Sequence, residues 1–148
     1  MERPGTEPIG LELVRTARLV SRAFDDALAE AGGSLPSWLI LLSLKTGRHE
    51  TQRELAEAVG VEGPTLTHHL NRLESEGLVS RSRLPDNRRV QRVALTESGE
   101  AAFFRMLETV RKFDHRLREG LSQQRLAALQ ELLGQLRVNV SESKEDAP

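Results

Sequence analysis

Five arginines crowd one short stretch of this sequence. Between residues 80 and 92 they face a single acidic residue, Asp86, so the stretch carries a local charge of +4. They are Arg81, Arg83, Arg88, Arg89 and Arg92. Guanidinium groups bind phosphates and are drawn into narrow minor grooves of DNA. Because the whole chain has a net charge of −1, the local charge favours one defined contact with nucleic acid over indiscriminate binding to polyanions.

A second polar surface lies upstream, on one side of a predicted helix. Leu66, Leu70 and Leu73 recur at i, i+4 and i+7, which marks the buried side of that helix. The opposite side holds Pro64, Thr65, His68, Asn71, Arg72 and Ser75, with Thr67 on its flank. Short side chains of this kind reach base edges in the major groove of DNA. An ordinary solvated helix surface has similar residues, so the neighbouring elements decide between the two interpretations.

Two short helices joined by a tight turn are predicted to position that surface. The segment Thr51-Gln-Arg-Glu54 fits a capping box at the start of the first helix. This helix is expected to bury Leu55, Ala58 and Val59. Pro64 suits the first turn of the second helix, which ends at Gly77. The pair is a helix-turn-helix candidate over residues 51–77, and its first helix adds Thr51 and Arg53 to the expected DNA contacts.

After the second helix the pattern changes to that of β-strands. Strands are predicted at residues 78–84 and 90–95, joined by a Pro85-Asp-Asn turn. At the tip of this hairpin, Arg88 and Arg89 are expected to reach the minor groove. We expect Asp86 to hold an arginine there through a charge-assisted hydrogen bond. In isolation, such a tip would more simply be a solubilising charged turn.

Long helices flank this module on both sides. Apolar residues at 3–4 spacing predict one helix from Leu13 to Ala31 and a buried one from Pro36 to Gly47. Thr96 is expected to open a third, whose apolar residues continue to Leu121, and a last helix carries an apolar series. That series is Leu126, Leu129, Leu133, Leu136 and Val140. Such arms favour helix-on-helix packing, and their simplest use is dimerisation.

These elements predict a mainly α fold with a small β-hairpin (α+β), a winged helix-turn-helix carried by terminal helices. Residues 1–34 and 97–140 are expected to form the dimerisation region. Residues 35–96 are expected to form the DNA-binding domain, with the wing at 78–95. Residues 141–148 are short, polar and without periodicity, and we expect them to be disordered.

Several classes of function are disfavoured by what the sequence lacks. It has no cysteine, which removes disulfide scaffolds, thiolate metal sites and thiol nucleophiles. The adjacent pair His68 and His69 points 100° apart on a helix and does not form a chelating face, so we expect no metal. No hydrolase elbow or phosphate loop appears, so we expect neither an enzyme nor a cofactor. Without a leader or a long apolar run, we expect a soluble, cytoplasmic protein.

The helix-turn-helix and hairpin together resemble the MarR (multiple antibiotic resistance regulator) family. The hairpin segment from Gly77-Leu-Val through Pro85-Asp-Asn-Arg-Arg to Leu95-Thr-Glu-Ser-Gly99 is similar to the wing signature of that family. The resemblance implies a homodimeric transcriptional regulator, a repressor that reads a pseudo-palindromic operator in double-stranded DNA. It also implies that Asp86 and Arg88 form the wing pair and that Thr65 to Arg72 belong to the recognition helix. Members that sense oxidants use a cysteine, so a thiol switch is not expected here.

The same resemblance implies an effector site. Regulators of this kind release DNA when a small aromatic or anionic compound binds between the dimer helices and the winged module. The residues that could line such a site are Arg18, Arg22, Phe24, Trp38 and Phe113. Aromatic residues of this kind more often belong to the core, and arginines to the solvated surface. The alternative function is a helical dimeric interaction or scaffold protein without specific DNA reading, which would leave the basic hairpin unused.

Overall fold

The structure, a computed structural model, describes residues 7–47 and 51–142, and these form six helices and one two-stranded sheet. The elements are, in order, α1 (Ile9–Glu30), α2 (Leu35–Lys45), α3 (Gln52–Val59), α4 (Gly63–Ser75), β1 (Val79–Arg83), β2 (Gln91–Leu95), α5 (Glu97–Leu117) and α6 (Gln123–Glu142). This order confirms the predicted mainly α fold with a small hairpin. By internal contacts the chain divides into two units, residues 1–113 and residues 114–148.

Local signals set most helix ends. Ser34 caps α2 in a box with Ser37, whose amide donates to the Ser34 hydroxyl at 3.2 Å. Asp25 of α1 accepts from the Leu35 amide at 2.8 Å and so satisfies another free donor of the first turn. At the start of α3, the Thr51 hydroxyl accepts from the Glu54 amide at 3.2 Å, as the predicted cap requires.

The two helices of the helix-turn-helix are joined at Gly60, whose φ of +76° is the left-handed conformation that glycine adopts without strain. Leu66, Leu70 and Leu73 are buried, which confirms the predicted inner side of α4. The expectation that Ala58 is buried is wrong, because it faces solvent. Ala56, on the other side of α3, packs against the core instead.

The hairpin pairs β1 and β2 antiparallel, with Val79 opposite Leu95 and Arg83 opposite Gln91. Both strands are slightly shorter than predicted. Val79 and Val93 point inward and are buried. A single antiparallel bridge between Thr51 and Arg92 adds the residue before α3 to the edge of this sheet. The wing is therefore attached to the helix-turn-helix through its backbone as well as through its side chains.

The core of residues 1–113 draws on nearly every element. Its fully buried large side chains are Leu28, Ile40, Leu41, Leu55, Leu66, Leu70, Val93 and Met106. Among the described residues no side-chain polar atom is buried without a hydrogen-bond partner. No single described helix is long and apolar enough to span a membrane, and α1 and α2 meet that criterion only when counted together across a 76° bend.

The start of α5 is packed directly against the base of the wing. The Thr96 hydroxyl accepts from the Gly99 amide at 3.0 Å, which caps the helix. Gly99 is buried, and a Cβ built on it would lie 1.9 Å from the carbonyl oxygen of Leu78. Only glycine allows the two backbones to approach this closely.

Residues 114–148 contain the end of α5 and α6. The predicted helical position of Leu121 is wrong, because α5 ends at Leu117 and Leu121 lies in the connection before α6. Along α6 the apolar side chains are exposed or half-buried, with Leu129 46% and Val140 71% exposed. The helix continues to Glu142, so the first two residues of the predicted disordered tail are helical. The rest of that tail lies outside the described residues.

Candidate nucleic-acid interface

The outer side of α4 is open to solvent and carries no large apolar side chain. Its exposed residues are Pro64, Thr65, His68, Asn71, Arg72 and Ser75. The leucines on the opposite side are buried in the core, so α4 cannot turn without unpacking it. The surface that these six residues form is consequently held in one fixed orientation, which is what a helix needs to enter a major groove in a defined register.

Arg72 lies at one margin of this surface. Its Nε donates to Oε1 of Glu76 at 3.2 Å, one turn along the helix, and both side chains are well exposed. An exposed pair of this kind contributes little to stability. The guanidinium can therefore exchange its carboxylate partner for a phosphate or a base edge at small cost.

Thr67 was expected to contact DNA, but its hydroxyl makes hydrogen bonds to other residues of the chain. Its Oγ1 donates to the Gly63 carbonyl at 3.0 Å and accepts from Nε2 of Gln52 at 2.7 Å. The bond from Gln52 fastens α3 to α4. Gln52 was not identified from the sequence as a residue that positions the interface. Its place directly after the cap of α3 was the feature that could have indicated this role.

Thr51 and Arg53 differ in how far their side chains are exposed to solvent. Thr51 is half-buried, caps α3 and bridges to the wing, so it positions the interface. Arg53 projects from α3 with 91% of its side chain exposed, 3.8 Å from Glu57. A cleft of about 740 Å³ between α3, the start of α4 and the wing brings both together with Thr67 and Arg89.

The wing tip presents Asp86, Arg88 and Arg89 to solvent. Among the described residues no hydrogen bond or ion pair joins Asp86 to an arginine, so the expected bond is not formed in the chain without DNA. Asn87 shapes the tip instead, since its Oδ1 accepts from the Arg89 amide at 3.2 Å. An asparagine side chain that bonds the backbone two residues on is a typical turn-forming contact. Both arginines are therefore left free to contact a ligand.

A different arginine of the basic stretch is committed to the fold. Arg81 on β1 donates from Nε to Oε2 of Glu74 at 3.1 Å and from Nη2 to Oε1 at 3.2 Å. Its Nη2 also donates to Oδ1 of Asn71 at 2.5 Å. The side-chain hydrogen bond from Arg81 lowers the pKa of Glu74 below its usual value. The wing and the outer side of α4 are thus joined through one charged cluster, which the sequence pattern did not reveal.

The proposed effector residues do not converge on one site. Trp38 is buried and stacks on Phe103, with ring centroids 5.2 Å apart. Phe24 and Phe113 meet edge to face at 4.7 Å. Arg18 and Arg22 are exposed on α1, and Arg22 lines a groove of about 380 Å³. The aromatic rings serve the core, and of these five residues Arg22 is the one that borders that groove.

The histidines of α4 do not assemble a metal site with other ligands. The rings of His68 and His69 lie 5.9 Å apart at a steep angle. Within the ranges that the structure describes, no three His, Cys, Asp or Glu side chains form a group that could hold a metal ion. His49 lies outside those ranges.

Comparison with known proteins places this geometry among DNA-binding regulators. A family model described as the MarR family matches residues 34–90. The transcriptional regulator PA3341 is 33% identical over 91% of this chain and 99% of its own, with a TM-score of 0.79. The transcriptional repressor CouR, solved bound to a 23-mer DNA duplex, is 28% identical over 88% of this chain and 92% of its own, with a TM-score of 0.82. A Cys-to-Ser mutant of MarR from E. coli, complexed with operator DNA, is 25% identical over 87% and 93%, with a TM-score of 0.80.

Proposed function

Because this chain belongs to the MarR family of transcriptional regulators, we propose that it represses transcription by binding a pseudo-palindromic operator as a homodimer. The observation that carries the proposal is the two-sided character of α4. Its leucines are buried and its outer surface is exposed and polar from Pro64 to Ser75. A surface that is fixed in orientation and made of short donors and acceptors suits base reading in the major groove.

The second contact is made by the wing. Arg88 and Arg89 are exposed, and neither guanidinium is engaged within the described chain. In this proposal they enter the minor groove next to the site read by α4, where the negative potential attracts guanidinium groups. Arg53 contacts a phosphate from α3. Asp86 lies beside the arginines and orients them only once DNA is bound.

The dimer is formed by the terminal helices, from residues 1–34 and 97–140, while residues 35–96 form the DNA-binding domain. Apolar side chains that are exposed in one chain support this division. On α1 they include Ile9, which is 66% exposed, and on α6 they include Leu129 and Val140. Exposed apolar surface on a terminal helix marks an interaction site. A two-fold dimer covers it with the same surface of the partner.

Repression is proposed because the transcriptional repressor CouR shares this fold over most of both chains. A small aromatic or anionic effector would release DNA by preferring a dimer whose two modules no longer match the operator spacing. The groove on α1 that Arg22 lines, with Leu35, Leu39 and Val59 as apolar neighbours, is the place for it in this proposal. A repressor of this kind acts on chromosomal DNA in the cytoplasm.

Selection from a random pool of duplex DNA tests the function. The purified chain is expected to enrich an inverted repeat with half-sites about one helical turn apart, because two modules related by a two-fold axis meet two equivalent groove faces. Binding to the enriched site should weaken steeply as salt is raised, since arginines displace condensed counterions. A scaffold protein without DNA reading would enrich no sequence, and that result would overturn the proposal.

A further inference from the structure

The Arg81 guanidinium is held in one orientation by Glu74. Two parallel hydrogen bonds, at 3.1 and 3.2 Å, join Nε and Nη2 to the two carboxylate oxygens. The Arg81 side chain is only 16% exposed, although Glu74 is more open. A bidentate pair of this kind fixes the plane of the guanidinium as well as its position. The remaining Nη2 hydrogen is therefore aimed at a defined point, and Oδ1 of Asn71 occupies that point at 2.5 Å.

This contact decides which end of the Asn71 amide is available. A guanidinium only donates hydrogen bonds, so Asn71 must turn its oxygen toward Arg81. Its Nδ2 carries two hydrogens and has no hydrogen-bond partner among the residues that the structure describes. Asn71 is exposed on the outer side of α4. Asn71 therefore offers a hydrogen-bond donor, its Nδ2, to a ligand on that side.

We propose that Asn71 reads the major groove as a hydrogen-bond donor, with Arg81 as the residue that positions it. The inference rests on the proposed function, because it concerns the same DNA surface. An unconstrained asparagine pairs with adenine by accepting from N6 and donating to N7. With its oxygen held by Arg81, Asn71 fits bases whose acceptors have no amino group beside them, namely guanine through O6 and N7 or thymine through O4. Adenine also accepts at N7, but its N6 amino group would be left without an acceptor, and cytosine presents only an amino group, so both are disfavoured on the contacted strand.

The test compares binding sites selected from random duplex DNA by the full-length parent and by variants. Asn71→Ala identifies the base pair in question as the one position in each half-site where preference disappears. At that position the parent should favour guanine or thymine on the contacted strand. Arg81→Met keeps an apolar stem but frees the amide, so adenine should gain about tenfold relative to the parent's preferred base, with other positions unchanged.

Arg83→Met is the matched control. Arg83 lies two residues from Arg81 on the same strand and is exposed, so its replacement removes the same charge without touching Asn71. It should lower affinity for all sequences and leave the preference at this base pair as in the parent. If Arg81→Met behaves like Arg83→Met, Arg81 serves only to fasten the wing and the inference is overturned.

Asn71→Asp tests the same idea without altering Arg81. The aspartate keeps an oxygen for Arg81 and places a second acceptor where the parent has Nδ2. The preference should therefore reverse toward cytosine or adenine, whose amino groups donate. An unchanged preference, or Asn71→Ala with no altered position, contradicts the inference while the proposed function stands. A parent that enriches no sequence at all contradicts the proposed function instead.

Discussion

The Thr96 hydroxyl donates to the carbonyl oxygen of Gly77 at 2.6 Å, across the base of the wing. Gly77 follows the end of α4, and Thr96 directly precedes α5. The same hydroxyl accepts from the Gly99 amide. One side chain therefore joins the end of the proposed recognition helix to the start of α5, so the wing between them is held at both ends.

Replacing Thr96 by valine keeps the shape of the side chain and removes both bonds. We expect Thr96→Val to lower the free energy of unfolding by about 1–2 kcal/mol, since a helix cap and a hydrogen bond are lost together. Urea titration measures this. Thr96→Ser retains the hydroxyl and should lie close to the parent. Equal stability of Thr96→Val and Thr96→Ser would show that the hydroxyl does not hold the wing.

The wing and α4 should contribute differently to DNA binding. Arg88→Ala should weaken binding to every sequence and reduce the salt dependence, because the minor groove presents a degenerate pattern of bases. Thr65→Ala and Arg72→Ala should relax preference at particular positions, by roughly 1–3 kcal/mol where a base contact is lost. Site selection and titration at two salt concentrations make the comparison. Parental affinity of Arg88→Ala at both salts would mean that the wing is only a charged turn.

The apolar side of α6 should hold two chains together. In the double variant Leu129→Glu and Leu136→Glu, like charges would meet at the proposed dimer seam, so we expect it to be monomeric and to lose operator binding. The control, Gln124→Glu with Gln135→Glu, adds the same charge to exposed positions of α6 and should remain dimeric. Light scattering gives the mass of each. A parent that is monomeric yet binds an inverted repeat tightly would rule out this interface.

The contact between Glu74 and Arg81 should depend on pH in one direction. Because Arg81 lowers the pKa of Glu74 in the folded chain, the pair stabilises the fold above the usual carboxyl pKa. That contribution is lost as the pH falls through the lowered pKa. Glu74→Gln should therefore be less stable than the parent near neutral pH, and the difference should vanish in acid. Urea titrations at several pH values test this, and a difference that is the same at every pH would contradict it.

The features that could be predicted from the sequence are those that neighbouring residues determine. The leucine spacing of α4 and the cap at Thr51 depend on contacts within one helix, and the structure has both. Partners from distant elements could not be predicted in this way. Gln52 donates a hydrogen bond to the hydroxyl of Thr67 across the turn, and Trp38 stacks on a ring of α5. No periodicity encodes such pairs, because they arise only when helices and strands meet.

The close approach of Gly99 to Leu78 also bears on exchanging DNA-binding modules between regulators. A chimaera that joins foreign terminal helices directly after Thr96 would separate this cap from the glycine whose amide it binds. A donor helix with any side chain at that position would collide with the Leu78 carbonyl. Ala102 and Met106 further along α5 also belong to the core of this unit. The transferable piece therefore extends into α5 past Met106. A graft made there would keep the native contact between Gly99 and Leu78.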